Sequence, residues 1–405
     1  MFHQIRRSLS AEFVGDHMAT MKKITLVLFL CIEFPLPGYA EGLLAVDNPA
    51  KNGQERKVYV SLQAFAANDQ VALSQYGSDW QGDYAPRTGS NLGLFSIRAE
   101  SGVQWQGFRL GGLYRAEALV EANRDTSDLI RQYTNSSGYD VGRTYQLDLK
   151  IKGFEASGSR LSRSFRLDLG GPWQLDWGLG LSYLRGKRIK LETVSGQLVA
   201  LNTQDLNASA SLNDTDSQIN ITDLAQFNAP YGRLATPFGE GYALDAGMVL
   251  QQSESGFSVE LAVADLAGSI EWKNLPNNVA NINTANKYYD ANGNVQFNPS
   301  ATRISSYQNM TQNLDAKLWL AVNYALGDYE LQGATNYTSG YWFPQAGVKY
   351  QFNPQWGVSA DYDFRFNSVG LALRHHWLYI GLRTDNTSID KAKTYGLNIG
   401  NNIPF

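Results

Sequence analysis

Between residues 355 and 366 the side chains sort by parity: Trp356, Val358, Ala360, Tyr362, Phe364 and Phe366 alternate with Gly357, Ser359, Asp361, Asp363 and Arg365. Successive side chains of a strand point to opposite faces, whereas a helix would scatter these residues around its circumference, so the period of two selects β structure. The same sorting recurs over 174–183 and 313–324, with further copies at 145–151, 165–169, 257–263, 346–352 and 395–405. Turn-forming sequences separate several of them: Gly170-Gly171-Pro172, Ser255-Gly256, Gly327-Asp328 and Asn353-Pro354. Residues 367–383 read either as one long strand or as two short ones.

Alternation alone does not choose between water and lipid outside the sheet. Segment length does, because a tilted strand needs roughly 9–11 residues to cross the hydrocarbon and many of these apolar faces end in Tyr, Trp or Phe. Composition agrees. Charged residues make up 18% of the chain, against about 25% in soluble domains, and no run approaches the ~18 apolar residues of a spanning helix. An open sheet edge in hydrocarbon would leave backbone polar groups unpaired, so the sheet has to close. Removing residues 1–40 from the 405 leaves 365; at about 22–26 per strand and connection this predicts an all-β, closed antiparallel transmembrane barrel of 14 strands, within a range of 12 to 16. Its first strand is expected at 56–66 and its last at 394–405.

The first forty residues read as an address. Met21-Lys22-Lys23 precedes the apolar run 24–32, then Pro35 and Pro37, then Gly38-Tyr39-Ala40. A charged start, a short apolar core and a small-x-small site make a secretory signal peptide, expected to start at Met21 and to be cleaved after Ala40. Residues 41–55 then form a short N-terminal segment and 56–405 the barrel. The one cysteine, Cys31, lies in the leader, which suits a chain exported through an oxidising compartment. The expected location is the outer membrane of a Gram-negative bacterium, with outer-membrane lipid as a partner. A net charge of -4 offers no basic excess for a phosphate backbone, so nucleic acid is not expected as a partner.

The polar faces are expected to line the lumen. Acidic candidates are Asp148, Asp168, Asp176, Asp245, Glu260, Asp315, Asp361 and Asp363; basic ones are Lys150, Lys152, Arg166, Lys317, Lys349, Arg365 and Arg374. Such a balance points to cross-strand pairs bracing a filled or narrow interior rather than to an ion-selective ring. Residues 202–240 and 273–312 are rich in Asn, Asp, Ser, Thr and Gln and are expected as long extracellular loops. Within 116–139, Asp125-Thr126-Ser127-Asp128 before Leu129 and Ile130 predicts a short capped helix that either enters the lumen or covers a loop.

Catalysis is not expected. Only His375 and His376 follow the leader, and neighbouring strand residues face opposite ways. No nucleophile elbow, phosphate loop or metal-ligand spacing is present, so no cofactor and no metal are expected.

The chain ends on Tyr395, Leu397, Ile399, Asn401, Ile403 and Phe405 at alternate positions. This resembles the C-terminal signal of bacterial outer-membrane barrels, which implies the barrel-assembly machinery as a partner. Near the other end, Asn48-Pro49-Ala50 is similar to the Asn-Pro-Ala motif of the long-chain fatty-acid transporter (FadL)/TraF-like superfamily, which places it just before strand one. The stretches 243–247 (ALDAG) and 263–272 (VADLAGSIEW) look similar as well. The resemblance implies a channel or transporter for small hydrophobic or polar solutes. The alternative is a non-conducting barrel with a structural, secretion-associated or surface-binding role. The long-chain fatty-acid transporter proper carries an N-terminal plug of some forty residues, whereas 41–55 leaves room for a small one.

Overall fold

The computed structural model describes residues 46–76, 80, 82–218, 236–284, 287–289, 295–297, 300–375 and 377–405. The leader and its cleavage site lie outside these residues. Eighteen strands follow in chain order: β1 (Lys57–Asn68), β2 (Asn91–Trp105), β3 (Phe108–Ala122), β4 (Thr144–Gly170), β5 (Trp173–Ala200), β6 (Leu206–Asp216), β7 (Phe238–Gln252), β8 (Phe257–Asn283), the small hairpin β9 (Lys287–Tyr289) and β10 (Val295–Phe297), β11 (Ala301–Asn313), β12 (Lys317–Leu326), β13 (Tyr329–Thr338), β14 (Tyr341–Gln351), β15 (Trp356–Asp363), β16 (Ser368–His375), β17 (Leu378–Thr384) and β18 (Thr394–Pro404). Helix α1 spans Arg124–Asn135.

Fourteen of these strands, all but β6, β9, β10 and β11, close an antiparallel barrel. Closure is made by β18 on β1, in register from Lys57 opposite Pro404 to Ala67 opposite Thr394. The expected strand number, closure and terminal strands are all present. Residues 367–383 form two strands, β16 and β17, and the two short copies at 145–151 and 165–169 are parts of the single strand β4.

The faces are inverted relative to a soluble sandwich. Val60, Leu181, Leu320, Leu371 and Leu382 are each more than a third exposed, while Arg98, Glu100, Arg115 and Arg160 are at most 5% exposed. Apolar side chains outside and charge inside is the pattern of a sheet solvated by lipid. Aromatic pairs mark both rims of the apolar band. Phe165 on Trp177, Tyr329 on Tyr350 and Trp356 on His375, with centroids 4.4–4.7 Å apart, lie near the turns at 171–172, 327–328 and 352–355; Tyr337 on Trp342 and Tyr183 beside Tyr242 lie toward the other end. Short turns mark the periplasmic end in barrels of this kind.

Three strands overrun the membrane. β4, β5 and β8 are 27, 28 and 27 residues long, two to three times the spanning requirement. Their upper parts, with β6 and β11, form a sheet above the barrel: β6 pairs both β5 and β8, and β11 pairs β8 from 269 to 282. The expectation of solvated loops at 202–240 and 273–312 is thereby corrected, since most of their described residues are strand. Polar residues fit this sheet because both of its faces lie in water or under other protein rather than in lipid.

Helix α1 covers the outward face of that sheet and does not enter the lumen. Asn123 caps it, accepting from the Thr126 amide at 2.8 Å, and Leu129 and Ile130 bury against Tyr145, Leu147, Val194 and Leu198. Arg143 clasps it with donations to Asp125 (2.8 Å), Asp128 (2.7 Å) and Asp140 (3.0 Å). Burial pushes the Asp125 carboxyl up, but the hydrogen bonds from Arg143 and the Gln146 amide, with the nearby positive charge, together outweigh it and hold the group below its ordinary range; Asp140 is lowered first of all by the same guanidinium. Depressed carboxylates contribute stability that is fully present above the ordinary carboxylate range and is lost as pH falls through the lowered values. The protection factors of amides 124–135 are therefore expected to fall below the ordinary carboxylate range in wild type, and to be low already at neutral pH in Arg143→Ala. Leu371, midway between the Trp356 and Phe364 rims, gives the lipid test. Leu371→Arg is expected to cost about 2–4 kcal/mol in denaturant titrations of lipid-embedded barrel, against less than about 0.5 for Asn353→Arg in a periplasmic turn.

Candidate functional site in the lumen

The chain preceding β1 folds back inside the barrel. Pro49 fixes the first position of a 3-10 turn, Pro49–Lys51, and the Asn48 side chain caps it by accepting from the Ala50 amide at 3.0 Å. Asn48 Nδ2 donates to Glu260 at 3.0 Å, and Lys51 pairs with the same carboxylate at 2.6 Å. The seat is cut from glycine. A Cβ on Gly247 would stand 1.9 Å from Asn48 Oδ1, and one on Gly178 would stand 2.5 Å from the Pro49 carbonyl carbon. Side chains at these two inward positions of β7 and β5 would leave no room for the turn.

Around this segment lies a network of buried charge. Asp47 accepts from Arg109 at 3.0 Å and Arg160 at 2.5 Å. Arg160, whose side chain is fully buried, also donates from Nε to Asp245 at 2.9 Å. Glu100 takes Arg98 at 3.0 Å, Arg109 at 3.3 Å and the Tyr59 hydroxyl at 2.7 Å. Three carboxylates thus meet three guanidiniums. Burial pushes the Asp47 carboxyl up, but Arg109 and Arg160 outweigh it and hold the group below its ordinary range. Such pairs add little net stability over apolar packing, yet removing one partner strands the others.

A second network sits on a bulge. The β7–β8 register shifts between Leu244 and Ala246, and Asp265 on the bulged strand takes φ +57, a conformation Asp tolerates better than most residues. Its amide donates to Asp245 at 3.1 Å, and its carboxylate accepts from Arg115 (2.7 and 2.5 Å) and Lys317 (2.9 Å). Glu117 completes the set, 2.7 Å from Arg115 and 2.8 Å from Lys317.

Above this level a cavity of about 240 Å³ is walled by Leu94, Leu119, Phe154, Leu191, Met310 and Leu314. Glu117 and Lys317 form its floor, and Asp315, bound by Lys152 at 3.2 Å and Ser339 at 2.7 Å, its rim. Beside it Phe65, Trp319, Phe343 and Phe366 cluster inside the barrel. A smaller cavity of about 40 Å³, room for a few waters, lies along β13–β18 with Gln332, Gln345, Lys349, Asp361 and Arg383 in its wall.

The sequence candidates fall into distinct places. Asp245, Glu260 and Lys317 belong to the buried networks. Asp361 pairs with Arg383, and Lys349 with Glu330 at 2.9 Å. Asp363 accepts from the Phe366 amide at 2.7 Å in the turn after β15, where Arg365 holds Asp69 at 2.6 Å. Arg166 pairs with Asp176 at 2.8 Å near the periplasmic end, with Asp168 exposed beside it. Asp148 and Lys150, 3.8 Å apart, are exposed on the upper sheet, and Arg374 stands opposite Tyr379 and Gly357. Sequence reasoning passed over Asp47, Arg98, Glu100, Arg109, Arg115, Arg160, Asp265 and Arg383. Two of these sets were readable: Arg98/Glu100 and Arg115/Glu117 stand two residues apart, hence on one face, in otherwise apolar strands.

The three stretches that looked similar to one superfamily meet here. Asn48 rests on Gly247, Asp245 binds the Asp265 amide, and Asp265 opens the bulge. The fold defines a membrane-spanning β-barrel whose lumen is filled at one level and hollow above it. No family model matches the sequence, and no curated protein does. Among solved structures the chain is similar to a "TodX deltaS2S3 mutant monoaromatic hydrocarbon channel" at 10% identity and TM-score 0.44, covering 92% of this chain and 96% of that one. It is similar to the Ralstonia pickettii toluene transporter TbuX at 9% identity and TM-score 0.32, covering 92% and 97%. It is also similar to a Pseudomonas aeruginosa FadL homologue at 10% identity and TM-score 0.24, covering 92% and 100%.

Gly247→Val is expected to evict the N-terminal segment and leave the barrel closed. Trypsin should then cut after Lys51 in the variant and leave wild type intact there, read by mass spectrometry of the folded barrel. Arg160→Ala is expected to lower stability by about 3–5 kcal/mol, because Asp47, Asp245 and Glu100 lose a shared partner.

Proposed function

We propose that the protein is an outer-membrane barrel of a Gram-negative bacterium, of the long-chain fatty-acid transporter-like kind, that passes small hydrophobic or amphipathic solutes. In this reading it is exported through a cleaved signal at Ala40 and inserted by the barrel-assembly machinery. The observation that carries it is the apolar cavity of about 240 Å³ standing directly above a level packed with paired charge. A water-filled porin keeps its lumen charges solvated; here Glu100, Arg160 and Asp265 are at most 2% exposed, so ions have no ready path while residues 46–52 stay seated. An apolar wall instead rewards an apolar solute for leaving water. Lys152, Asp315 and Ser339 stand at its entrance and Lys317 at its floor, and these are the residues we assign to the route. The reading is of transport rather than catalysis: His375 is held between Trp356 and Trp377 at the aromatic rim, with centroids 4.4 and 4.7 Å away.

The tall sheet on β4, β5 and β8 supports a second reading, a barrel that displays a binding surface. Planar bilayers separate the two. Wild-type barrel is expected to be silent or nearly so, and a variant lacking residues 46–53 to show stable conductance steps. Steady openings of the wild type would make it an open pore instead, and silence of both would favour the surface role.

A further inference from the structure

In the sheet above the barrel, charge is divided by parity. On the face that packs toward α1, β5 and β6 carry Lys190, Glu192, Asp214 and Asp216, and β11 carries Arg303. The opposite face carries no charge on four strands. Odd positions 191–199 of β5, 207–215 of β6 and 277–283 of β8, with even positions 302–308 of β11, hold only Ser, Thr, Asn, Gln and aliphatic residues. A surface meant only for water ordinarily has Lys, Arg, Glu or Asp at about 25–35% of its positions, so the neutrality belongs to this face and not to the strands. Charge returns at its border on β4, where Asp148 and Lys150 are 3.8 Å apart and Lys152 reaches Asp315 at 3.2 Å.

Two rows cross this face in register, Ser195–Ser211–Asn281–Thr302 and Thr193–Asn213–Val279–Ile304, about 7 Å apart along the strands. The first is hydroxyl and amide throughout, with the Ser195 and Ser211 oxygens 3.1 Å apart. The second ends in an aliphatic pair, of which Ile304 is 69% exposed. Asn213 and Asn281 are exposed, and among the described residues neither amide makes a side-chain hydrogen bond. Lower on the same face the groups satisfy one another: Thr215 donates to Asn277 at 2.8 Å and accepts from Gln308 at 3.0 Å. The foot is closed and the two rows above it are open.

Hydroxyls and amides both donate and accept, which suits an uncharged ligand whose own groups do the same. Protein partners are gripped by aromatic, Met and Arg anchors, and this face has none. We infer that the face docks a neutral oligosaccharide from the medium, with sugar hydroxyls on the Asn213 and Asn281 amides and the C–H side of a sugar on Val279 and Ile304. A chain anchored in the surrounding membrane is the wrong source, because α1 lies on the outward side and this face looks over the lumen, where Lys152 and Leu191 at its foot line the cavity. The face stands outside the lumen, so the inference goes beyond the transport reading and does not depend on it.

The test is an array of neutral, uronic-acid, sulfated and amino oligosaccharides, with smooth lipopolysaccharide beside them, probed with the folded barrel in a sugar-free detergent. Neutral oligosaccharides are expected to bind and the charged ones to bind at least tenfold more weakly. Asn213→Ala combined with Asn281→Ala should weaken the best neutral ligand roughly tenfold, the worth of two hydrogen bonds, at an unchanged melting temperature. Ile304→Ser should lose part of the binding, and Gln355→Ala in a periplasmic turn none. An array on which no neutral sugar binds, or a double variant that binds as well as wild type, would overturn the inference. Binding confined to lipopolysaccharide would overturn the source, and binding to a glycoprotein that survives removal of its glycans would make the occupant a protein instead. Conductance is read separately in planar bilayers, so failure here leaves transport standing.

Discussion

No backbone N–H or C=O can face hydrocarbon unpaired, and the ladder between β1 and β18 is where this chain meets that demand. Closure fixes much else. Once the sheet is a cylinder, alternate side chains are committed to lipid or lumen, and a one-residue slip would turn every charge outward. The lumen then collects all the polarity that the outer face excludes. Arg160, Glu100 and Asp245 are buried because the cylinder leaves them nowhere else to go, and their partners follow from that burial.

How that interior is filled differs with height. Near the middle, short inward residues such as Gly178, Gly180 and Gly247 admit a segment of chain and a guanidinium. Higher up, Leu94, Leu119, Phe154 and Leu314 wall a cavity of about 240 Å³. The bulge at Asp265 lies between these regimes. It adds two residues to β8 and swings a carboxylate onto Arg115 and Lys317, so the floor of the hollow is built by a break in the ladder.

The barrel was legible because its signal is periodic and local: 355–366 or 174–183 needs no partner to be read. The lumen charges were harder, since parity says that Asp245 points inward but not that Arg160 waits opposite it, eighty-five residues away. Asp265 was invisible to parity, because within the bulge an odd-numbered residue of β8 turns inward among even-numbered ones. The polar stretches misled for a different reason. Polarity was taken as a sign of loops, yet a strand that rises clear of lipid has no need of an apolar face, and β6 and β11 have little of one.

The glycine seat also bears on the order in which the molecule comes together. Asp47 finds its partners on β3 and β4, and Asn48 finds its own on β8 with β7 behind it. That seat does not exist until β3, β4, β5, β7 and β8 stand side by side. A segment that precedes β1 in the sequence therefore settles only once five later strands have paired, and its docking records that this side of the wall is in register.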